Sequence, residues 1–162
     1  MARRRPQVAV SGGGVDPPGD VLDTAAEVGE RLAESGIAVV CGALGGVMEA
    51  AARGAAEAGG DVIGIVPSAD PADANPYCTH VVASGVGHAR NLAVVASGDA
   101  VIAIGGEWGT LSEIAFAREL GRPVIALRTW TVRGTGPMED APGIVPAASP
   151  AEAVDAVQRA LS

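Results

Sequence analysis

The sequence predicts an α/β fold, a single Rossmann-like domain with a largely parallel sheet and helices on both faces. Short apolar runs rich in β-branched residues alternate with longer alanine-rich stretches, which is typical of buried parallel strands joined by crossover helices. Glycine clusters follow several of these runs. The length of 162 residues is usual for one domain, so we interpret residues 1–162 as one ligand-binding domain.

The short apolar runs predict six strands. In chain order they are Gln7–Ser11, Ile37–Cys41, Val62–Val66, His80–Ala83, Ala100–Ile104 and Val124–Leu127. Apolar residues at helical spacing and capping residues predict five helices between and after them. These helices are one that begins behind Asp20 as N-cap, Gly46–Ala58, His88–Ser97, Thr110–Leu120, and one from the Ser149-Pro150-Ala151-Glu152 capping box to about Leu161. Two segments, Pro67–Pro76 and Thr129–Pro146, are predicted loops.

Composition excludes several classes of protein. All eleven basic residues are arginine, so the chain lacks the lysine of a pyridoxal-phosphate enzyme or a P-loop NTPase. The net charge of −8 disfavours a nucleic-acid partner. No apolar run reaches the roughly 18 residues of a membrane helix, and no apolar signal region follows the basic Met1–Arg5, so we expect a cytoplasmic protein without membrane contact. Cys41 and Cys78 show no metal-ligand spacing, and we expect neither a bound metal nor a resident cofactor.

Glycines cluster where predicted strands end. The clusters are Gly12–Gly14, Gly42 with Gly45 and Gly46, Gly85 with Gly87, and Gly105, Gly106 and Gly109. In a parallel sheet these turns share the carboxyl edge, where open α/β folds bind ligands. Backbone N–H groups without a neighbouring Cβ can approach a phosphate, although each cluster is also compatible with a tight turn alone. Pro17 occupies the third glycine position of the dinucleotide fingerprint, which disfavours NAD and FAD.

Three segments resemble the signature blocks of LOG-type (Lonely Guy) proteins and their relatives in the SLOG superfamily of Rossmann-like proteins. They are Cys41–Ala50, Gly87–Asn91 and Gly105–Glu113. The resemblance implies a homodimer or higher oligomer and, for LOG members, a phosphoribohydrolase that releases an adenine-type base from a nucleoside 5′-monophosphate. Other relatives are molybdenum cofactor carriers, whose ligand is an anionic phosphorylated ring system. Some carry a lysine decarboxylase label, which a chain without lysine contradicts if pyridoxal phosphate is meant.

The match to the LOG blocks is partial. The residues that agree are His88, Arg90, Gly106, Gly109, Thr110 and Glu113. Asn91 stands where LOG members have lysine, and Glu107 stands where they have glycine. A carboxylate at that position repels a phosphate unless it turns away or meets a cation. These departures are closer to the carrier branch.

Arg90 and Glu113 are the candidate catalytic residues. A guanidinium at position 90 can grip a phosphate through two parallel hydrogen bonds, or it forms an ordinary salt bridge. Glu113 can stabilise an oxocarbenium-like transition state, while Thr110 and Glu113 also match a capping box. Trp108 can stack on a purine or pterin, or pack in the fold. The predicted ligand-binding residues are Gly12, Gly13, Gly45, Gly46, Met48, His88, Gly106, Trp108, Gly109 and Thr110.

Three functions are compatible with these residues. The first is binding of a phosphorylated, nucleotide-like ligand with LOG-type hydrolysis, in which Arg90 holds the substrate and keeps Glu113 ionised. The second is a non-catalytic carrier of the molybdenum cofactor, a pterin. The third is a module that senses a nucleotide.

Overall fold

Seven parallel strands form one sheet in the computed structural model, which describes residues 4–162. The strands are β1 (Gln7–Gly12), β2 (Ala38–Cys41), β3 (Val62–Val66), β4 (His80–Ala83), β5 (Ala100–Ile104), β6 (Val124–Leu127) and β7 (Ile144–Ala147). The helices are α1 (Gly19–Glu34), α2 (Val47–Glu57), α3 (Arg90–Ser97), α4 (Trp108–Glu119) and α5 (Pro150–Leu161). Part of the basic N-terminal segment, residues 1–3, lies outside the described residues.

The strand order places a topological switch point at the centre of the sheet. The order is β4-β3-β2-β1-β5-β6-β7, so the chain builds outwards from β1 on one side and then returns to start β5 on the other. β1 pairs in parallel with both β2 and β5. Where the strand order reverses, the connections leave in opposite directions and a crevice opens at the carboxyl ends. The crevice here lies after β1 and β5.

Side chains alternate between two apolar layers along the central strands. Val8 and Val10 pack with α1, α2 and α5, whereas Ala9 between them packs with α3 and α4. All three are fully buried. The same alternation continues in β5, where all five residues are buried. This two-sided burial is the reason for the continuous apolar runs of the sequence, and it confirms the predicted doubly covered sheet.

The main departure from prediction lies in the segment Thr129–Pro146, which was expected to be a loop and contains the seventh strand. β7 is an edge strand paired only with β6. Val145 and Pro146 are exposed, and a proline is accepted at a sheet edge because it need not donate to a neighbour. A short, exposed strand with a proline carries neither the apolar run nor the alternation that identifies a buried one.

The start of α1 differs from prediction, whereas the start of α5 agrees with it. α1 begins at Gly19 with Pro18 as N-cap, so Asp20 is a first-turn residue and the prediction of Asp20 as N-cap is wrong. Proline fixes the extended backbone that precedes the helix. At α5 the capping box is confirmed, with Glu152 N donating to Ser149 Oγ at 3.2 Å. No helix within residues 4–162 combines the length and apolarity required to span a membrane.

Candidate functional site

A cleft of about 220 Å³ opens at the switch point, between the turns that follow β1 and β5. Eight of the twelve predicted site residues line it. They are Gly12, Gly13, Met48, His88, Arg90, Gly109, Thr110 and Glu113. Residues from β1, α2, α3 and α4 therefore meet in one place although they are far apart in sequence.

The other four predicted site residues lie beside the cleft instead of lining it. Gly46 is the N-cap of α2, and its backbone packs against Gly13. Gly45 lies near the carbonyl oxygen of Gly14. Gly106 lies so close to the side chain of Thr110 that an added Cβ would collide with it. The last of the four, Trp108, is the first residue of α4; its side chain is 75% exposed.

Four lining residues are absent from the predicted set. They are Ser11, Gly14, Asn91 and Glu107. Ser11 is buried, and it is a polar residue that directly follows the apolar run of β1. That position, a polar residue immediately after an apolar run, is the signal in the sequence that could have identified it. Asn91 and Glu107 were visible in the sequence only as departures from the LOG blocks, and their place in the cleft follows from the starts of α3 and α4.

Arg90 is buried at the floor of the cleft with an incomplete set of hydrogen bonds. Its side chain is 8% exposed. One terminal nitrogen, Nη2, donates to the carbonyl of Gly42 at 3.1 Å, and the other, Nη1, donates to Asn91 Oδ1. A Cβ at Gly42 would lie 2.7 Å from Nη2, so a larger residue there would displace the guanidinium. Nε is buried and finds no partner within residues 4–162. Burial lowers the pKa of Arg90, and the charge of Glu113 acts in the opposite direction.

Glu113 is a buried carboxyl on the inner side of α4. It accepts a hydrogen bond from the hydroxyl of Ser11. Burial raises its pKa to about 7, while the Ser11 hydrogen bond and the charge of Arg90 lower it by less. Arg90 acts in the predicted direction, since its charge lowers the pKa of Glu113, but desolvation has the larger effect.

The predicted capping box at the start of α4 does not form. α4 begins at Trp108 with Glu107 as N-cap, so Thr110 is already inside the first turn. Gly105 and Gly106 both have positive φ, and this sharp turn lets the helix start earlier than the sequence pattern indicates. Glu113 consequently lies a further turn along the helix and contacts Ser11 instead of capping.

Two helix N-termini near the cleft lack a side-chain cap. In α2, which has 11 residues, and in α4, which has 12, no N-cap side chain accepts a hydrogen bond from the first-turn N–H groups, although the first N–H of α2, that of Val47, donates to the carbonyl of Gly13 at 2.9 Å. Free N–H groups and the helix dipole both favour a negative charge at such ends. Together with the buried guanidinium, these ends make the floor of the cleft suitable for an anion.

A larger groove of about 870 Å³ lies on the outside of α1 and α2. Its lining includes four glutamates and two arginines on solvent-facing turns, which are typical of a solvated helix surface. It contains none of the strand-end glycines. Within residues 4–162, no group of three or more His, Cys, Asp or Glu side chains is arranged to hold a metal ion.

Comparisons with known proteins agree with this geometry. The model of a family described as the SLOG cluster4 family matches residues 5–154. A molybdenum cofactor binding protein from Rippkaea orientalis superposes with a TM-score of 0.89 at 30% identity, covering 99% of this chain and 100% of the other. The molybdenum cofactor carrier protein of Chlamydomonas reinhardtii gives 0.84 at 31% identity, covering 98% and 99%. An uncharacterized protein of Archaeoglobus fulgidus is 42% identical over 75% of this chain and 80% of its own length.

Proposed function

This chain belongs to the SLOG cluster4 family, and because two proteins similar to it are described as binding or carrying the molybdenum cofactor, we propose that it binds this cofactor, or a closely similar phosphorylated pterin, and carries it unchanged. The observation that carries the proposal is Arg90, a buried arginine on the cleft whose Nε has no partner within residues 4–162. Burying a guanidinium costs free energy unless its donors are satisfied. A ligand phosphate near its N–H groups would offset that cost.

Two further features support a phosphorylated ligand. The glycine turn after β1 supplies backbone N–H groups without overlying side chains, and the α4 N-terminus lies opposite it with Gly109 and Thr110 on the cleft. These groups can surround a phosphate without a lysine, which the chain lacks. Similarity to two proteins described by their binding of the molybdenum cofactor supports the identity of the ring system.

The proposal includes the protein's surroundings. A carrier collects its cargo and delivers it to the proteins that use it, so we place this chain in the cytoplasm together with those recipient proteins. We also propose that it is a homodimer or higher homo-oligomer that binds its small-molecule ligand, with no nucleic acid and no membrane as partner.

Native mass spectrometry of the purified protein, followed by denaturing release, tests the carrier function. Cells that make the molybdenum cofactor should yield protein with an added mass, and release should give the cofactor or its oxidised pterin. Protein from cells unable to make the cofactor is the matched control and should lack that mass. Recovery of only a nucleotide, or an empty protein that also fails to take up added cofactor, would overturn the proposal.

LOG-type hydrolysis of a nucleoside 5′-monophosphate is the second candidate function, and Glu113 favours it. A buried carboxyl with a pKa of about 7 can exchange a proton near neutral pH, as an acid–base group must. Under this hypothesis Glu113→Gln lowers release of free base by at least about a hundredfold while ligand affinity changes little. The carrier function instead predicts no free base from wild type or variant, measured by chromatography after incubation with AMP.

A further inference from the structure

The charges on the cleft divide it into two ends. Arg90 lies at the buried floor, whereas Glu107 lies at the exposed rim. A phosphate is attracted to Arg90 and repelled by the exposed Glu107. The other carboxyl on the cleft, Glu113, is buried and accepts a hydrogen bond from Ser11, and its raised pKa favours the neutral form near the floor. An anionic ligand is therefore oriented with its phosphate inward. The part of the ligand that meets Glu107 must then be neutral and must offer hydrogen-bond donors.

The backbone of Glu107 is fixed while its carboxylate is left free. Its carbonyl accepts hydrogen bonds from Trp130 Nε1 at 3.2 Å and from Leu111 N at 3.1 Å. The carboxylate makes no capping hydrogen bond to α4, although residue 107 is the N-cap. It also forms no ion pair within residues 4–162. Within the described residues, the two carboxylate oxygens of Glu107 thus remain available at the rim to accept hydrogen bonds from a ligand.

Two tryptophans lie next to the backbone of Glu107. Trp108 and Trp130 lie with ring centroids 5.1 Å apart and planes tilted by 39°. Trp108 is 75% exposed, which is unusual for the largest apolar side chain unless something covers it. The two tryptophans are half of the aromatic residues counted in the chain as Trp, Tyr and Phe, and both lie beside Glu107.

We propose that Glu107 selects for rings that present an amino group next to a ring N–H, the edge that pterins share with guanine. This inference rests on the proposed function and names the chemistry that the same cleft reads. The two parallel N–H donors of that edge can bond both oxygens of one carboxylate, as the guanidinium of arginine does. Adenine presents one donor beside a lone pair, which a carboxylate repels. Trp108 provides the face against which the ring stacks.

Titration calorimetry with GMP, IMP and AMP tests this selection, because the three differ only at the base edge. IMP keeps the ring N–H of GMP but lacks its amino group. We expect GMP to bind at least about tenfold more tightly than AMP, with IMP between them. Glu107→Gln should bring the GMP and AMP affinities within about twofold of each other, because an amide has only one acceptor. Glu119→Gln changes an exposed carboxylate on the same helix away from the cleft and should keep the preference.

A further ligand and the pattern of affinities distinguish a failure of the selection by Glu107 from a failure of the proposed function. 6-Hydroxymethylpterin monophosphate should bind like GMP or better if the biological ring is a pterin, and more weakly than GMP if it is guanine. Equal wild-type affinities for GMP and AMP would overturn the selection by Glu107 while leaving phosphate binding intact. If neither the nucleotides nor the pterin monophosphate binds, and native mass spectrometry finds no cofactor, the proposed function itself fails.

Discussion

Arg90 combines a structural and a binding task in one guanidinium. Its terminal nitrogens bond Gly42 and Asn91, which fix the plane of the group, while its unpartnered Nε leaves it short of one acceptor. The contact with Gly42 joins the turn after β2 to α3, whereas Asn91 is the next residue of α3 itself. Removal of Arg90 should therefore affect ligand binding strongly and folding to a smaller extent.

We expect Arg90→Ala to weaken binding of a phosphorylated ligand by roughly 1.5–3 kcal/mol, the scale of a charge-assisted hydrogen bond. Calorimetry with GMP measures the loss, and a thermal melt of each protein confirms that the variant is folded. Arg159→Ala, an exposed arginine on α5, is the control and should bind as wild type does. Equal affinity in the Arg90 variant would assign Arg90 to structure alone.

Glu113 makes the stability of the protein depend on pH. Because its pKa is raised from 4.5 to about 7, the folded state holds the proton more tightly than the unfolded chain. This contribution to stability is complete below about pH 4.5 and is lost as the pH rises through 7, by roughly 3 kcal/mol in total. Glu113→Gln mimics the protonated form at every pH. Urea denaturation should therefore find the variant close to wild type at pH 5 and more stable at pH 8.5.

The control for this pH effect is Glu30→Gln, an exposed position on α1. It should leave the pH dependence of the unfolding free energy as it is in wild type. A Glu113→Gln protein that loses stability between pH 5 and pH 8.5 as steeply as wild type would show that other groups produce the slope.

At the scale of elements, α1 and α2 pack closely because glycines bring their backbones together. A Cβ at Gly54 would collide with the carbonyl of Ala26, and one at Gly29 would collide with that of Ala51. Alanine favours a helix over glycine by about 1 kcal/mol, so propensity alone predicts that replacing either glycine stabilises the protein. The close contact between the two backbones predicts instead that either replacement destabilises the protein.

We expect Gly54→Ala to lower the free energy of unfolding by at least about 2 kcal/mol, because overpacking against backbone outweighs the gain in helix propensity. Gly19→Ala is the matched control, since that glycine is also helical and a Cβ there meets nothing within 4 Å. Urea denaturation of both variants should separate them, with the control equal to wild type or more stable. A stabilised Gly54 variant would show that the two helices move apart at little cost.

α3 and α4 expose apolar side chains on the face turned away from the sheet. Leu92 is 43% exposed, Phe116 37% and Leu120 43%, and the two helices are neighbours in the same layer. Apolar residues on both sides of a helix indicate a second covered surface. A second copy of the chain is the occupant that the proposed homo-oligomer requires.

Light scattering coupled to size exclusion should accordingly give at least twice the chain mass of 16.0 kDa at micromolar concentration. Phe116→Glu should shift the protein towards the monomer, since a charge buried in an apolar interface is strongly unfavourable. Glu30→Gln, an exposed residue on α1 in the opposite layer, should leave the mass unchanged. A wild-type mass near that of one chain would remove the proposed oligomer.

For the whole molecule, the sequence predicted the features that follow from local residue patterns. It did not predict those that depend on contacts between distant segments. Six of the seven strands were predicted because each contains a short apolar run between turn signals, including the exposed edge strand β4, and β3 to β6 have the predicted bounds. β7 was missed because its burial is partial and its proline contradicts a strand pattern. The glycine turns were correctly placed at one sheet edge because parallel strands share their carboxyl ends.

The chemistry of the site was less accessible from sequence. Arg90 and Glu113 were both selected, but their protonation depends on burial, which no local pattern encodes. Ser11 was not selected because its hydrogen bond to Glu113 spans 102 positions and exists only in the folded chain. Asn91 was noted only as a departure from the LOG blocks, and its contact with the guanidinium of Arg90 is seen only in the structure. The early start of α4, which removes the capping box, follows from the positive φ of Gly105 and Gly106.

Because the cleft lies at the central switch point, its residues come from distant parts of the chain, and it can form only late in the synthesis of the protein. Ser11 and Glu113, which bond across it, are 102 positions apart, and Arg90 comes from a helix between them. A ribosome must therefore synthesise more than two thirds of the chain before any complete ligand-binding surface is present. A chain that stops before α4 has the first glycine turn but lacks the α4 N-terminus and Glu113. On the proposed function it has no complete surface with which to capture its ligand, so ligand binding would distinguish finished molecules from nascent ones.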